Sequence, residues 1–333
     1  MHVLGIESSC DDTAAAVLAD GRTVLSSVLS SQDRIHSRFG GVVPELASRN
    51  HLENIAPIVN EALTRAQCGL TDIDLICVTQ GPGLIGSLLV GFSFAKALSF
   101  QTGIPFTGVD HMAGHLLSVL LESEVPFPYI ALIASGGTSS IFLVQSPTDF
   151  RHLGRTRDDA AGEAFDKVAK LLQLSYPGGP QVCRLAERGD REAIRFPRAW
   201  LGEDSLDFSF SGLKTAVLNH CRQQQRQQTL LQVENICASF QEAVVEVLVE
   251  KTLRAATRHK VDTIVLGGGV SANPRLRQAF AERCSADGHQ LYLPSPSYCT
   301  DNGAMIALAG HYRYQQTGAM GYGEDVYSRS SLG

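Results

Sequence analysis

Two histidines four residues apart, His111 and His115 in HMAGH, are the first candidates for chemistry. Residues i and i+4 of a helix share one face, so both imidazoles could grip a single metal ion. Asp110, immediately before them, suits the cap of such a helix. The HExxH helices of zinc peptidases use this spacing with a glutamate as base. Here that position holds Met112, so a metal bound at this helix would lack the usual peptide-hydrolysing partner. Two histidines that merely share an apolar helical face fit the segment as well.

A metal needs a third ligand. Asp301, in YCTDNGAMIALAG, is a carboxylate in a loop that leads into a helix. Two histidines and one carboxylate leave positions open for substrate and suit iron or zinc. Taken alone, Asp301 reads as the N-cap of that helix. The stretch ESSCDD (7–12) places Glu7, Asp11 and Asp12 with two hydroxyls in one turn. Its acids could hold a metal–nucleotide or simply favour the turn. SGG (135–137) and GGG (267–269) are turns where backbone amides can approach phosphate. GEAFDKVAKLL places Asp166 and Lys167 on an amphipathic helix, an exposed ion pair in the plainest reading. YPGGP (176–180) is a turn whose glycines could admit a ribose. Lys214, in FSFSGLKTAV, is a phosphate contact or a surface charge.

These residues need elements to hold them. MHVLGIESSCDDTAAAVLAD and YIALIASGGTSSIFLVQS each read as strand, small-polar turn, strand. DLICVTQGPGLIGSLLVGFSFAKAL (74–98) and DTIVLGGGVSANPRLRQAF (262–280) each read as buried strand, glycine turn, helix, with Pro274 suited to a first helical turn. The order hairpin, then strand–glycine–helix, therefore occurs twice, as a repeat of architecture. Helical spacing is also present over 43–66, 159–173 and 229–259, and Thr300-Asp301 is expected to open a last helix. The tail from Gly318 is Gly/Ser-rich and is expected to be loose. The expectation is an α/β chain of two lobes with a nucleotide cleft between them: 1–108, completed by 301–333, and 109–300.

The 333 residues exceed what one small core needs, in agreement with two lobes. The apolar run LIGSLLVGFSFAKALSF is broken by Gly, Ser and Lys96 and falls short of a membrane span. No basic segment precedes an apolar one at the start, so no secretory signal is expected, and the chain reads as soluble and cytoplasmic. The eight cysteines are dispersed without a CxxC pair, which argues against a zinc ribbon. Net charge is −6, but residues 1–150 carry 6 Lys+Arg against 14 Asp+Glu while 151–333 carry 22 against 20. Arg151, Arg155, Arg157, Arg184, Arg188, Arg191, Arg195 and Arg198 cluster in the second half, compatible with an RNA-facing lobe or with solvated helix faces.

The ordered set IESSCDDTAAAV, GGVVPELASRNH, VTQGPGLIGSLLVG, HMAGH, GEAFDKVAKLL, YPGGP, FSFSGLKTA, GGGVSAN and TDNGAM resembles the TsaD/Gcp/YgjD family from residue 3 to about 310. The resemblance implies the duplicated actin/hexokinase/Hsp70-like (ASKHA) fold. It implies transfer of a threonylcarbamoyl group from threonylcarbamoyl-AMP to N6 of the adenosine beside the anticodon, position 37, in tRNAs reading codons that begin with A. It implies one divalent metal, iron or zinc, on His111, His115 and Asp301. Ile133, Ala134, Ser135, Gly136, Gly137, Asp166, Gly179 and Asn273 would bind the adenylate, in a cleft that ATP or ADP could also enter. Asp11 would act as base or orient the substrate. Implied partners are tRNA and, in bacteria, a TsaB-like paralogue and a TsaE-like ATPase; neither DNA nor membrane is implied. Three positions depart from the family pattern: Thr138 stands where a histidine is usual, Cys183 where an aspartate is usual, and Asn50 where an aspartate is usual. The alternatives are an ATP-dependent small-molecule kinase on the same fold, which would have no use for the histidine pair, a metalloprotease, and a non-catalytic scaffold.

Overall fold

The computed structural model describes residues 1–333 apart from Glu203, Ser331 and Gly333. Along the chain, β1 (His2–Glu7), β2 (Asp12–Ala19) and β3 (Thr23–Ser31) form a meander, followed by the short α1 (Asp33–His36) and the long α2 (Pro44–Arg65). Then come β4 (Leu75–Gly81), α3 (Ile85–Thr102), β5 (Phe106–Asp110) and α4 (His111–Leu117). A second meander follows: β6 (Tyr129–Ala134), β7 (Ser139–Ser146) and β8 (Asp149–Arg155). It leads into α5 (Ala161–Leu171), α6 (Gly178–Ala186), α7 (Ser211–Arg226) and α8 (Val233–His259). The chain continues through β9 (Thr263–Gly267), α9 (Pro274–Asp287), β10 (Gln290–Tyr292), α10 (Pro296–Cys299) and α11 (Gly303–Thr317).

Two compact units result: Met1–Val125 with Gln145–Phe150 and Ser297–Gly333, and Pro126–Val144 with Arg151–Pro296. Each carries a five-stranded sheet, ordered β3-β2-β1-β4-β5 and β10-β9-β6-β7-β8. In both, the first strand of a hairpin pairs antiparallel with the second and parallel with the strand of the strand–glycine–helix unit. The repeat read from the sequence is thus a repeat of sheet topology. The fold is the duplicated two-lobe α/β fold.

The boundary expected after residue 108 falls instead at Val125–Pro126. Helix α4 stays in the first unit because Ala113 and Leu117 share a buried core with Met305 and Ile306 of α11 and with Val109 of β5. The first sheet is covered on both faces, as continuous apolar strands require. Successive residues point to opposite faces: Leu4 and Ile6 join the core under α2 and α3, while Val3 joins the core under α11. Helix α11 lies unusually close to the sheet. A Cβ on Gly5 would sit 2.1 Å from the Gly303 carbonyl oxygen, and one on Gly303 2.6 Å from the Ala15 backbone. In the second unit α5–α9 pack with β6, β9 and β7 in one core of their own.

Two expectations are corrected. The last helix opens at Gly303, with Asn302 as its cap: the Asn302 side chain accepts from the Met305 amide at 2.9 Å. The tail after Gly318 is not loose. Met320 N donates to the Phe106 carbonyl at 2.8 Å, the Tyr322 ring stacks on Phe106 at 5.4 Å, and Met320 and Val326 pack on the first core. Its glycines and serines alternate with apolar anchors, and the anchors decide. No helix among the described residues is long and apolar enough to cross a membrane.

Candidate functional site

Helix α4 is only seven residues long, so its position depends on what holds its ends. At its start, Asp110 accepts from the Met112 amide at 2.9 Å, the cap expected from sequence. Its side, at Gly114, faces α11: a Cβ there would meet Met305 Cγ at 3.0 Å and Ile306 Cδ1 at 3.1 Å. Glycine inside HMAGH therefore lets the start of α11 come close, and with it Asp301. Because Asn302 takes the capping role, the Asp301 carboxylate is released toward the histidines.

The structure brings the three candidate ligands together. His115 Nε2 lies 3.1 Å and His111 Nε2 3.5 Å from the same oxygen, Asp301 Oδ1. The two imidazoles meet edge to face at 4.7 Å between centroids, and one ligand atom from each of the three residues lies within 4.8 Å of the others. Three donors converging on one point, two nitrogens and one carboxylate oxygen, fit a borderline divalent metal. His115 Nδ1 is buried with no hydrogen-bond partner among the described residues, so this ring is held through Nε2 alone.

A residue that the sequence reading noted only as part of an acidic turn now has a place. Glu7, fully buried at the end of β1, reaches His111 Nδ1 at 3.0 Å and also accepts from the Ser9 amide and the Thr79 hydroxyl, each at 2.5 Å. A proton on Nδ1 directed at Glu7 leaves Nε2 facing Asp301, which sets the tautomer a ligand needs. The charges follow. Burial favours neutral forms, yet the carboxylates of Glu7 and Asp301 outweigh it and push His111 up to about 9. Burial likewise works to raise the two carboxyls, but His111 holds Glu7 below the usual range, and His111 with His115 holds Asp301 at about 2. The cluster is a pocket of negative charge that retains a proton where a cation fits.

The turn 8–11 beside it is pinned from outside. His51 of α2 pairs through Nδ1 with Thr13 Oγ1 at 2.7 Å and donates from Nε2 to the Cys10 carbonyl at 2.9 Å. Ser87 Oγ of α3 donates to the same carbonyl at 3.1 Å. Asp11 accepts the Gln32 amide through its backbone carbonyl and lies near the Cys10 thiol. Its neighbour Asp12 has the more telling environment. Burial, then the Asp301 charge, push Asp12 up to about 7, and its Oδ1 is buried with no hydrogen-bond partner among the described residues. Asp11 and Asp12 are both half-buried in this turn.

The glycine-loop candidates lie in the second unit and converge on α5. The Ser135 amide donates to the Thr138 carbonyl at 2.7 Å, and Gly162 N, at the start of α5, donates to the Ser135 carbonyl at 3.1 Å. Ile133 and Ala134 are buried strand residues behind that turn, while a Cβ on Gly136, Gly137 or Gly179 would meet nothing within 4 Å. One side of this loop cluster is therefore open. Asp166, farther along α5, accepts from the Gly178 amide at 2.8 Å and so positions the Gly178-Gly179 turn. Asn273 is occupied as an N-cap: its Oδ1 accepts from the Arg275 and Leu276 amides and its Nδ2 donates to Gln241. Thr138 closes the 135–138 turn through backbone bonds, and Cys183 lies within α6 as a free thiol. Lys214 lies in the first turns of α7, and Asp158 ties down the start of that helix, accepting from the Phe210 and Ser211 amides at 2.8 and 3.2 Å.

Comparison with known proteins decides the family. A family model described as tRNA N6-adenosine threonylcarbamoyltransferase, TsaD, matches residues 23–308. The chain belongs to this family. A protein of that name from Desulfotalea psychrophila is 61% identical over all of this chain and 98% of its own length. One from Syntrophus aciditrophicus is 53% identical over 93% of this chain and 91% of its own, and one from Staphylococcus aureus 49% over 94% and 92%. Among solved structures, full-length HypF in its phosphate- and nucleotide-bound form is similar at a TM-score of 0.64 and 15% identity, over 96% of this chain and 56% of that one. The component A of (R)-2-hydroxyglutaryl-CoA dehydratase from Acidaminococcus fermentans matches at 0.56 and 15%, over 95% and 99%. These two likenesses show the actin-like fold.

Proposed function

We propose that this transferase moves a threonylcarbamoyl group from threonylcarbamoyl-AMP to N6 of adenosine 37 in tRNAs reading codons that begin with A, with one divalent metal held by His111, His115 and Asp301. Family membership supports the transfer. The metal reading rests on one observation, the convergence of the three ligand atoms within 4.8 Å beside a buried Glu7 that fixes the tautomer of His111. Iron fits best and zinc is the second choice.

The donor is a mixed anhydride, so AMP is already a good leaving group, while the exocyclic amine is weakly nucleophilic. The amine nitrogen attacks the carbamoyl carbon, the bond from that carbon to the phosphate oxygen breaks, and AMP departs with the electron pair. The amine proton goes to a carboxylate of the Asp11–Asp12 turn. Asp11 is the proposed carrier, with Asp12, which burial pushes up, as the second candidate. When bound, the metal supplies positive charge against the carbamoyl oxygen or the leaving phosphate. The loops at Gly136, Gly137 and Gly179, where a Cβ would meet nothing, would position the adenylate, with Asp166 holding the second turn through Gly178. tRNA is the acceptor, a TsaB-like paralogue and a TsaE-like ATPase are the proposed protein partners, and the proposed location is the cytoplasm.

The test is transfer of labelled threonylcarbamoyl from its adenylate to unmodified tRNA. Label should reach N6 of adenosine 37, stop on chelation and return with iron or zinc. Transfer that is indifferent to chelation, in protein shown to be metal-free, would overturn the metal reading.

A further inference from the structure

The carboxylate that caps α4 has a second set of partners. Asp110 uses Oδ1 for the Met112 amide, and its Oδ2 accepts from Tyr327 Oη at 2.9 Å and Ser330 Oγ at 2.7 Å. Both hydroxyls come from the tail, more than two hundred residues later in the chain. The tail is laid down along the ends of β4 and β5 before it arrives there. Tyr322 Oη meets Ser99 Oγ at 3.0 Å, Gln80 Nε2 donates to the Asp325 carbonyl at 2.8 Å, and Tyr327 N donates to the Gln80 carbonyl at 3.1 Å. Tyr327 is seated so tightly that a Cβ on Gly81 would lie 2.1 Å from its carbonyl oxygen and 2.5 Å from its ring.

We propose that residues 318–330 form a strap whose Tyr327 and Ser330 are positioning residues for the metal centre, acting through Asp110 on the first turn of α4. The physical reason is the shortness of that helix. With seven residues it gains little from its own propagation, and His111 is its first residue. His111 therefore stays in register only while the cap stays on. A capping aspartate with one free oxygen can rotate away from the helix amides; one whose second oxygen accepts two hydroxyls cannot do so without breaking both. Charge-assisted hydrogen bonds to a buried carboxylate are the stronger kind. Asp110 is 7% exposed, so water does not readily replace them. A strap that only covered the apolar ends of the strands would need Tyr322 on Phe106 but not two hydroxyls at one carboxylate.

The inference rests on the metal reading, and the test separates the two. Metal-free full-length chain is titrated with Co(II) against a competing chelator, and the visible ligand-field spectrum of the complex is recorded. Parent protein that takes up no metal overturns the metal reading itself. Given uptake by the parent, Tyr327→Phe/Ser330→Ala should bind about tenfold more weakly, with a changed spectrum and faster amide exchange at residues 111–115. Exchange in β1 should be unchanged. Ser330→Thr, which retains a hydroxyl, should behave as the parent. Tyr322→Phe, which loses a strap bond remote from Asp110, should leave affinity and spectrum unchanged. A double variant that binds Co(II) with parental affinity and spectrum would overturn the strap's positioning role. Equal weakening by Tyr322→Phe would overturn it too, since general covering would then explain the loss.

Discussion

A buried carboxylate facing an imidazole fixes both the rotation and the tautomer of the ring, and Glu7 does this for His111 across 104 residues of sequence. Glu7→Gln keeps the volume but removes the charge, and the amide can offer the ring a donor instead of an acceptor. Metal affinity should fall roughly 10- to 100-fold, read by chelator competition, with secondary structure unchanged. Asp12 gives a prediction of opposite sign for stability. Its folded pKa of about 7 lies above the ordinary carboxylate value of 3.8, so the folded chain binds more protons in between and loses stability as pH rises through that window. In metal-free protein, Asp12→Asn should therefore melt higher than the parent at pH 8, with the gap closing below pH 4. Transfer activity should drop in the same variant. The spacing of HMAGH is enough to put His111 and His115 on one helical face, where their rings meet. The acid that orients it was not, because an acid at the end of an apolar strand looks like any strand end until the helix 104 residues later packs against it.

At the scale of elements, the first unit's site is a matter of how closely α4 and α11 approach. Gly114 admits Met305 and Ile306, and Gly303 admits the backbone of β2. Gly114→Val should push the two helices apart and separate Asp301 from the histidine pair. The expected outcome is loss of metal binding by titration, while the far-ultraviolet spectrum of the sheet and helices is retained. The element types and most bounds were readable from periodicity: 43–66 became Pro44–Arg65, and 229–259 became Val233–His259. Thr300, Asp301 and Asn302 are all competent caps, so sequence leaves the start of α11 uncertain by two residues. Only the packing of Gly303 on the sheet selects Asn302 and leaves Asp301 for the site. The tail follows its apolar anchors Met320, Tyr322 and Val326, which a Gly/Ser-rich composition does not reveal.

For the whole molecule, duplication was visible as an order of elements without residue similarity. The two sheets show why: topology repeats, while the side chains that fill each core do not. The second unit carries a cost that the sequence hid. Lys251 of α8 is fully buried, and its ammonium donates to the carbonyls of Trp200, at 2.9 Å, and of Asp207. Burial pulls it down to about 8, below the ordinary lysine value of 10.5. The unfolded chain thus binds more protons from about pH 8 to 10.5, so stability should rise with pH across that range. Lys251→Met should remove this contribution, seen as a flatter plot of unfolding midpoint against pH.

The claim on which the rest depends is that His111, His115 and Asp301 hold a metal that serves the transfer. Its most direct test is a single-turnover transfer assay on His111→Ala/Asp301→Ala with metal content measured on the same sample. One metal per parent chain and none in the double variant are expected, with a transfer rate lower by about 100-fold or more. A double variant that transfers at the parental rate, or that keeps its metal, would contradict that claim.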